Sequence, residues 1–371
     1  MKIAIEAQRI FRKNKHGMDF VALESIRELQ KIDKENDYYI LVSPGEDDAV
    51  LDVTPNFHII ELKCPTYPLW EQMALPLAIS RIKPDLLHCT SNTAPLFCNV
   101  PLILTLHDII FLEKRNAANK SLYQNFGRIY RRFIVPRIIP KCKEIITVSK
   151  YESDRITNFL ELPDNKVSFV YNGYSSHFRV IADYESVTSK YISEKRYLFF
   201  LGNTDPKKNA ERVLVAYSLY LKRSRKRLPL LIADLDYSFV SEIAGKYNIE
   251  DILPYIHTPG YIPNSDLPYI YSGAFAFLYP SLRESFGIPL LEAMACGTPV
   301  ITSNISALPE IAGDGSIQIN PFNEEEIANM IISLEEDGKL YENQVEYGIR
   351  RVSQFSWRRT AEELLKLYKS I

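Results

Sequence analysis

Several things are scarce in this chain, and each shortage excludes something. Cysteine appears five times, at Cys64, Cys89, Cys98, Cys142 and Cys296. No two form a Cys-x-x-Cys pair and no histidine sits at zinc-finger spacing beside them. A zinc ribbon or disulfide scaffold is thereby excluded, and reduced, mostly buried thiols in a cytosolic protein are expected. Excess charge is missing too: the formal net charge is −2 over 371 residues. A nucleic-acid binder needs a strongly basic face, so no such partner is expected. No apolar run approaches the ~20 residues that span a bilayer. The opening Met-Lys-Ile-Ala-Ile-Glu-Ala turns polar too soon for a secretory signal. These shortages predict a cytoplasmic chain, free to touch the inner face of a membrane.

What the chain does contain is alternation. Its 371 residues suggest two domains, and 46% apolar content is enough for two cores. Short apolar runs predict strands at 2–7, 38–43, 57–62, 86–89, 102–106, 144–149 and 167–172. A second set falls at 197–202, 229–234, 256–259, 274–280, 299–303 and 317–320. Most are continuously apolar, as strands buried on both faces of a parallel sheet must be. Amphipathic stretches between them predict helices at 19–32, 70–82, 210–222, 236–246 and 324–335, with a last one over 357–368. The fold class is therefore α/β, two Rossmann-like doubly wound parallel-sheet domains. A polar pause over 175–194 reads as the linker between them. Two such domains facing across a cleft would bind ligands at the carboxyl ends of their strands.

The most informative segment is Glu284-Ser-Phe-Gly-Ile-Pro-Leu-Leu-Glu292. Pro289 suits the start of a helix and Gly297 the position just past its end, which predicts a helix over 288–296. Glu284 then lies in the preceding loop and Glu292 about one turn inside. Between them are the unpaired N–H groups of a helix N-terminus, suited to phosphate.

A second segment, Phe200-Leu-Gly-Asn-Thr-Asp-Pro-Lys-Lys-Asn209, turns from strand to helix. Gly202 allows close backbone approach, and Lys207 and Lys208 supply point charges for phosphate oxygens. Two solvated lysines on an ordinary turn are the alternative. His16-Gly17 enters the first helix, as a phosphate loop or a plain turn. His107-Asp108 follows a buried strand, as a cleft pair or as a structural histidine beside a capping acid. Asp234-Leu-Asp236 reads as a strand end and helix cap, with no metal role. Lys222–Arg227 reads as a solvated helix end. Over 128–143, arginines and lysines interleave with aromatic and branched residues. This is either a basic amphipathic stretch for an anionic membrane or a surface helix broken at Pro136 and Pro140.

Together these segments resemble the family 4 (group 1) glycosyltransferases, retaining enzymes of the GT-B fold. The strongest part is 280–300, Pro-Ser-Leu-Arg-Glu-Ser-Phe-Gly-Ile-Pro-Leu-Leu-Glu-Ala-Met-Ala-Cys-Gly-Thr-Pro-Val, which looks like the family's two-glutamate signature. Leu104-Thr-Leu-His-Asp108, Ile146-Thr-Val-Ser149, Val170-Tyr-Asn-Gly173 and Asp205-Pro-Lys-Lys-Asn209 fall around it in the family's order. The resemblance implies domains 1–178 and 179–355, with a helix at 356–371 packing back on the first. It implies that Glu292 grips the ribose of the donor and Glu284 faces the transferred sugar. Phe286, Gly287 and Ile288 would offer backbone groups to that sugar, and Leu291 would face the diphosphate. Lys208, with Lys207, would pair the departing phosphate. His107 would border the sugar and acceptor, and Gly17 would approach the diphosphate. Glu284, Lys208 and His107 are thus the expected catalytic set; Glu292, Gly202, Lys207, Phe286, Gly287, Ile288, Leu291 and Gly17 are the donor set. Two departures stand out: His16-Gly17 replaces the family's glycine pair, and Asn203 stands near where many members place an arginine.

The implied activity is retaining, metal-independent transfer of a hexose from a GDP- or UDP-sugar. The acceptor would be a glycan or a lipid-linked glycan, in cell-surface polysaccharide synthesis. No cofactor is expected beyond the nucleotide sugar as co-substrate. A nucleotide-sugar epimerase, or a non-catalytic sugar-nucleotide-binding subunit of the same fold, is the alternative.

Overall fold

The computed structural model describes residues 1–15, 17–113 and 122–371. His16 and part of the segment before the basic stretch lie outside them. The chain forms two compact units, Met1–Gly173 with Trp357–Ile371, and Tyr174–Ser356.

The first unit holds seven strands: β1 (Lys2–Glu6), β2 (Asp37–Val42), β3 (Phe57–Glu61), β4 (Leu86–Cys89), β5 (Leu102–Thr105), β6 (Glu144–Thr147) and β7 (Val167–Phe169). Their order is β3-β2-β1-β4-β5-β6-β7, and every pair is parallel. The strand side chains split by period two between two helical layers. Ile3, Ile5, Ile40, Leu86 and Ile103 pack under helices Gly17–Ile32 and Trp357–Lys369. Ala4, Leu41, Leu87, Leu102 and Leu104 face the opposite layer. That layer contains the helical run 67–82 and the helix Leu122–Ile138.

The last helix is bolted to this unit by more than apolar contact. His88 is buried, with Nδ1 2.7 Å from the Tyr368 hydroxyl and Nε2 2.7 Å from Thr105 Oγ1. Burial pushes the His88 imidazole down to about 3, so it stays neutral at ordinary pH. Thr360 Oγ1 donates to Tyr171 O at 2.6 Å.

The second unit has six strands, β8 (Tyr197–Leu201), β9 (Leu230–Ala233), β10 (Ile256–Gly260), β11 (Ala274–Tyr279), β12 (Val300–Ser303) and β13 (Ile317–Ile319). Their order is β10-β9-β8-β11-β12-β13, again all parallel. The order reverses between β8 and β11, so the loops leaving these two strands diverge and open a crevice at their carboxyl ends. Both informative sequence segments leave from those two strands.

All thirteen expected strands are present, most ending one to three residues early. Three expectations need correction. The stretch 175–194 is not a bare linker: Phe178, Thr188 and Ile192 are buried, a short helix covers Glu185–Thr188, and Tyr191 donates to Asp266 at 2.7 Å. Its few apolar residues anchor it, which a mean polarity conceals. Pro136 does not break its helix, which continues to Ile138 and ends in a 3₁₀ turn over Ile139–Lys141. The ring removes one N–H near the last turn, while Ile134, Val135 and Ile138 stay buried and hold the helix to the sheet. The Lys222–Arg227 cluster is not simply solvated, since Arg223 reaches Glu325 and Asn329, and Lys226 donates to Glu335 O. Asp236 does occupy the N-cap of helix Tyr237–Tyr247, without a side-chain capping bond.

Candidate active site

The site residues of the second unit are placed by two turns that cross-link. After β8 the chain passes Gly202, where an added Cβ would lie 2.7 Å from Leu235 and 2.9 Å from Phe200. Only hydrogen fits there. A 3₁₀ turn over Pro206–Lys208 follows, capped by Asp205, which accepts from Lys207 N at 3.1 Å. Asn209 then adopts the left-handed conformation at φ 64°, tolerable for asparagine. Its buried amide donates to Pro280 O at 3.0 Å and Pro321 O at 2.7 Å. Leu282 N donates to Lys207 O at 2.7 Å. The lysine turn is thereby fastened to the loop that leaves β11.

That fastening brings Lys208 and Glu284 together. Lys208 Nζ lies 2.7 Å from Glu284 Oε1, and both side chains are only 14% exposed. Lys208 also sits 5.2 Å above the Tyr279 ring. Tyr279 is buried at the end of β11, close enough to Glu284 to feel its charge. Burial, and then the Glu284 charge, raise its phenol well above the ordinary range. Glu284 N donates to Ser306 Oγ at 3.2 Å, so backbone and side chain are both fixed. Lys207 lies on the same turn and makes no ion pair among the described residues.

Gly287 caps the helix Ile288–Ala295 with φ +101°, a conformation that favours glycine. Phe286 is buried edge-on to Phe355, their centroids 6.0 Å apart. The Leu291 side chain is fully buried. Only its backbone can face a ligand. Ile288 is half-buried at the first helical position, where N–H groups have no intrahelical acceptor.

Glu292 is half-buried one helical turn further on. Burial pushes its carboxyl up to about 8, opposed in part by Tyr271. The Tyr271 hydroxyl is fully buried without a hydrogen bond of good geometry, close enough to Glu292 to feel its charge. A carboxyl near pKa 8 is largely protonated at neutral pH, and so both donates and accepts. Its folded pKa exceeds the unfolded 4.5, so the folded state binds the extra proton between those values. The Glu292 contribution to stability therefore falls as pH rises from about 4.5 to 8. Glu292→Gln is expected to flatten that fall and gain on the order of 1–2 kcal/mol at pH 8. Thermal melts of both proteins at pH 5 and pH 8 check it; an unchanged slope in the variant would refute the shift.

His107 and Gly17 belong to the first unit. His107 is buried after β5; its N–H donates to Asn92 Oδ1 at 2.6 Å and its Nε2 lies 3.0 Å from Thr90 O. Since a carbonyl only accepts, the proton is on Nε2 and Nδ1 is the free acceptor. Burial lowers the imidazole pKa, against Thr90 O and the nearby carboxylates of Asp108 and Asp19. Gly17 opens the helix Gly17–Ile32, and a Cβ there would meet nothing within 4 Å. Neither packing nor backbone angle demands glycine at that position.

Two family profiles match consecutive parts of the chain. "Glycosyltransferase Family 4" covers residues 16–177, and "Glycosyl transferases group 1" covers 185–351. Together they span nearly all of it. The chain belongs to the family 4, group 1 glycosyltransferases. The family's fold is matched as well. A sucrose-phosphate synthase from Thermosynechococcus elongatus superimposes with TM-score 0.77 at 18% identity, over 100% of this chain and 98% of that one. The fold is GT-B, two Rossmann-like parallel-sheet domains. Among curated relatives, O-antigen chain mannosyltransferase B of Escherichia coli is 31% identical over 237 residues, 62% of this chain and 61% of its own length. The serotype-specific mannosyltransferase WbdA of Escherichia coli is 26% identical over 313 residues, 78% of this chain but 37% of WbdA. The chain thus spans about three fifths of the first relative and little more than a third of the second.

Sequence reasoning passed over Tyr279, Tyr271, Asn209 and Ser306. A tyrosine ending an apolar strand reads as core, and only the hydroxyl facing a carboxylate shows otherwise. Asn209 gave one usable signal: an asparagine directly before a helix, within a lysine turn, fits a left-handed residue.

Proposed function

We propose that this glycosyltransferase moves a hexose, mannose first among candidates, from a nucleotide-diphosphate sugar to a glycan acceptor, with retention and without a metal. The observation that carries this reading is the Lys208–Glu284 ion pair beside the N-terminus of helix Ile288–Ala295. Mannose, and a role in surface polysaccharide synthesis, follow from the names of the relatives, both mannosyltransferases.

The chemistry is a problem of charge. Breaking the sugar–phosphate bond leaves an oxocarbenium-like sugar and a departing diphosphate. Lys208 supplies a fixed cation for that phosphate, and the helix N-terminus supplies N–H donors. Glu284 neutralises Lys208; a phosphate binding there takes over part of the pair and frees Glu284 for sugar hydroxyls. Glu292, able to donate and accept, suits the two ribose hydroxyls. His107, with Nδ1 bare, is assigned to the acceptor side. The leaving phosphate takes the acceptor's proton, which retention by same-face attack requires. No carboxylate is assigned as nucleophile, because Glu284 is already engaged by Lys208.

The test incubates the chain with GDP-mannose or UDP-glucose, with and without a lipid-linked glycan, with EDTA present. Acceptor-dependent release of nucleoside diphosphate, and an α-linked product by NMR from the α-configured donor, are expected. Conversion of donor without acceptor would replace this reading with an epimerase. Tight donor binding with no turnover on any acceptor would replace it with a binding subunit.

A further inference from the structure

We propose that one helical layer of the first unit is a platform that seats the protein on an anionic lipid surface. Three segments build it. The helical run 67–82 carries Leu69, Met73 and Leu77 at a spacing of four, all exposed, Met73 and Leu77 by more than half. The helix Leu122–Ile138 carries Phe126, Ile129 and Phe133, each more than half exposed. Between them Phe97, on the loop after β4, is 80% exposed.

These side chains share a surface because one residue laces their segments together. Gln72, next to Met73, donates to Ala94 O at 3.2 Å and to the Tyr130 hydroxyl at 2.9 Å. Its carbonyl accepts from Leu96 N at 2.9 Å. Tyr130 lies in the same helix as Ile129 and Phe133, and Leu96 adjoins Phe97. The inner faces of both helices are spent on the sheet, through Trp70, Leu75, Ile79, Ile134 and Val135. The outward apolar residues have no part in that core. Continuous apolar exposure of this extent marks a binding surface.

The charge on the platform chooses the occupant. From Phe126 to Lys143 the chain has no aspartate or glutamate. Arg132 and Arg137 are exposed, and neither has an ion pair among the described residues. Arg137 instead stacks on Phe133, 3.8 Å from its centroid, and Lys141 lies 5.2 Å from the Phe97 ring. Arg81 adds a cation at the far end of the Leu77 stripe. Apolar side chains rimmed by unpaired cations match an interface of acyl chains and anionic headgroups. A second copy of the chain would set arginine against arginine. Among the described residues no helix is long and apolar enough to cross a bilayer, so the contact is peripheral.

The experiment is sedimentation with phosphatidylcholine vesicles, with and without phosphatidylglycerol, at low and high salt. No nucleotide sugar is present, so the outcome is independent of the donor reading. Binding to anionic vesicles only, weakened by salt, is expected. Arg132→Glu with Arg137→Glu reverses two surface charges and is expected to cut partitioning roughly tenfold or more. Met73→Ser with Leu77→Ser, on the other helix, is expected to do the same through lost apolar contact. Absence of binding to anionic vesicles overturns the proposal, as does full binding by both variants. It is also overturned if the platform drives self-association, seen as a concentration-dependent mass in lipid-free solution that both variants abolish.

Discussion

Lys208→Ala is expected to lower turnover by roughly 10²–10³-fold, the usual effect of deleting one fixed donor to developing charge. Stability should also fall, because Glu284 is left as a largely buried carboxylate without its cation. Tyr279 and the site's residual exposure soften that loss, which should be on the order of 1–3 kcal/mol. The two effects separate in a double variant. Lys208→Met with Glu284→Gln removes both charges and should recover most of the stability, since a buried pair replaced as a pair costs little. Activity should not recover, because no cation remains for the phosphate. Melting temperature and kcat for the single and double variants decide the matter. A double variant with near-wild-type kcat would show that the ion pair is only structural.

Gly287→Ala should produce a large stability loss for a single added methyl group. The position has φ +101°, which strains an L-residue, and the new Cβ would lie 2.8 Å from Leu308 Cδ2. Leu308 is fully buried, so its side chain can shift only against packed neighbours. Together strain and overlap should cost about 2–4 kcal/mol. The helix N-terminus must shift to relieve them, so donor affinity should drop at least tenfold. Gly17→Ala is the matched control, with open space and an ordinary backbone angle. It should leave stability within about 0.5 kcal/mol of wild type. Denaturant unfolding and calorimetric donor binding read both. Equal stability in the two variants would refute the strain argument.

The sheets were legible because parallel strands buried on both faces write themselves as unbroken apolar runs. Even the three-residue strand Ile317–Ile319 could be placed that way. Helices were legible only where one face is buried. In Gly338–Val352 the stripe Tyr341, Val345, Gly348 and Val352 is thin among charged residues, and only Gly348 and Val352 are fully buried. The π-helical segment Trp70–Ala74 leaves no mark in composition. It turns Glu71 inward, where it accepts from Tyr67 at 2.6 Å and from Gln72 at 2.9 Å, and bonds Thr93 and Tyr130. In the site, the two glutamates beside a helix start and the lysine turn could be read from the residues, and their roles followed from the family resemblance. That Lys208 and Glu284 pair could not, because it depends on Asn209 tying two loops whose sequences are 71 residues apart.

The return of helix Trp357–Lys369 to the first unit imposes an order on synthesis. Ala361, Leu364 and Tyr368 complete a core whose first strand left the ribosome some 350 residues earlier. Until they arrive, Ile3, Ile26, Ile40 and Leu86 lack part of their cover, and His88 lacks one partner. The second unit, continuous in sequence, can close first. Released chains truncated after Ser356 should therefore show a protease-resistant second unit beside a first unit that is still open to cleavage and to chaperones.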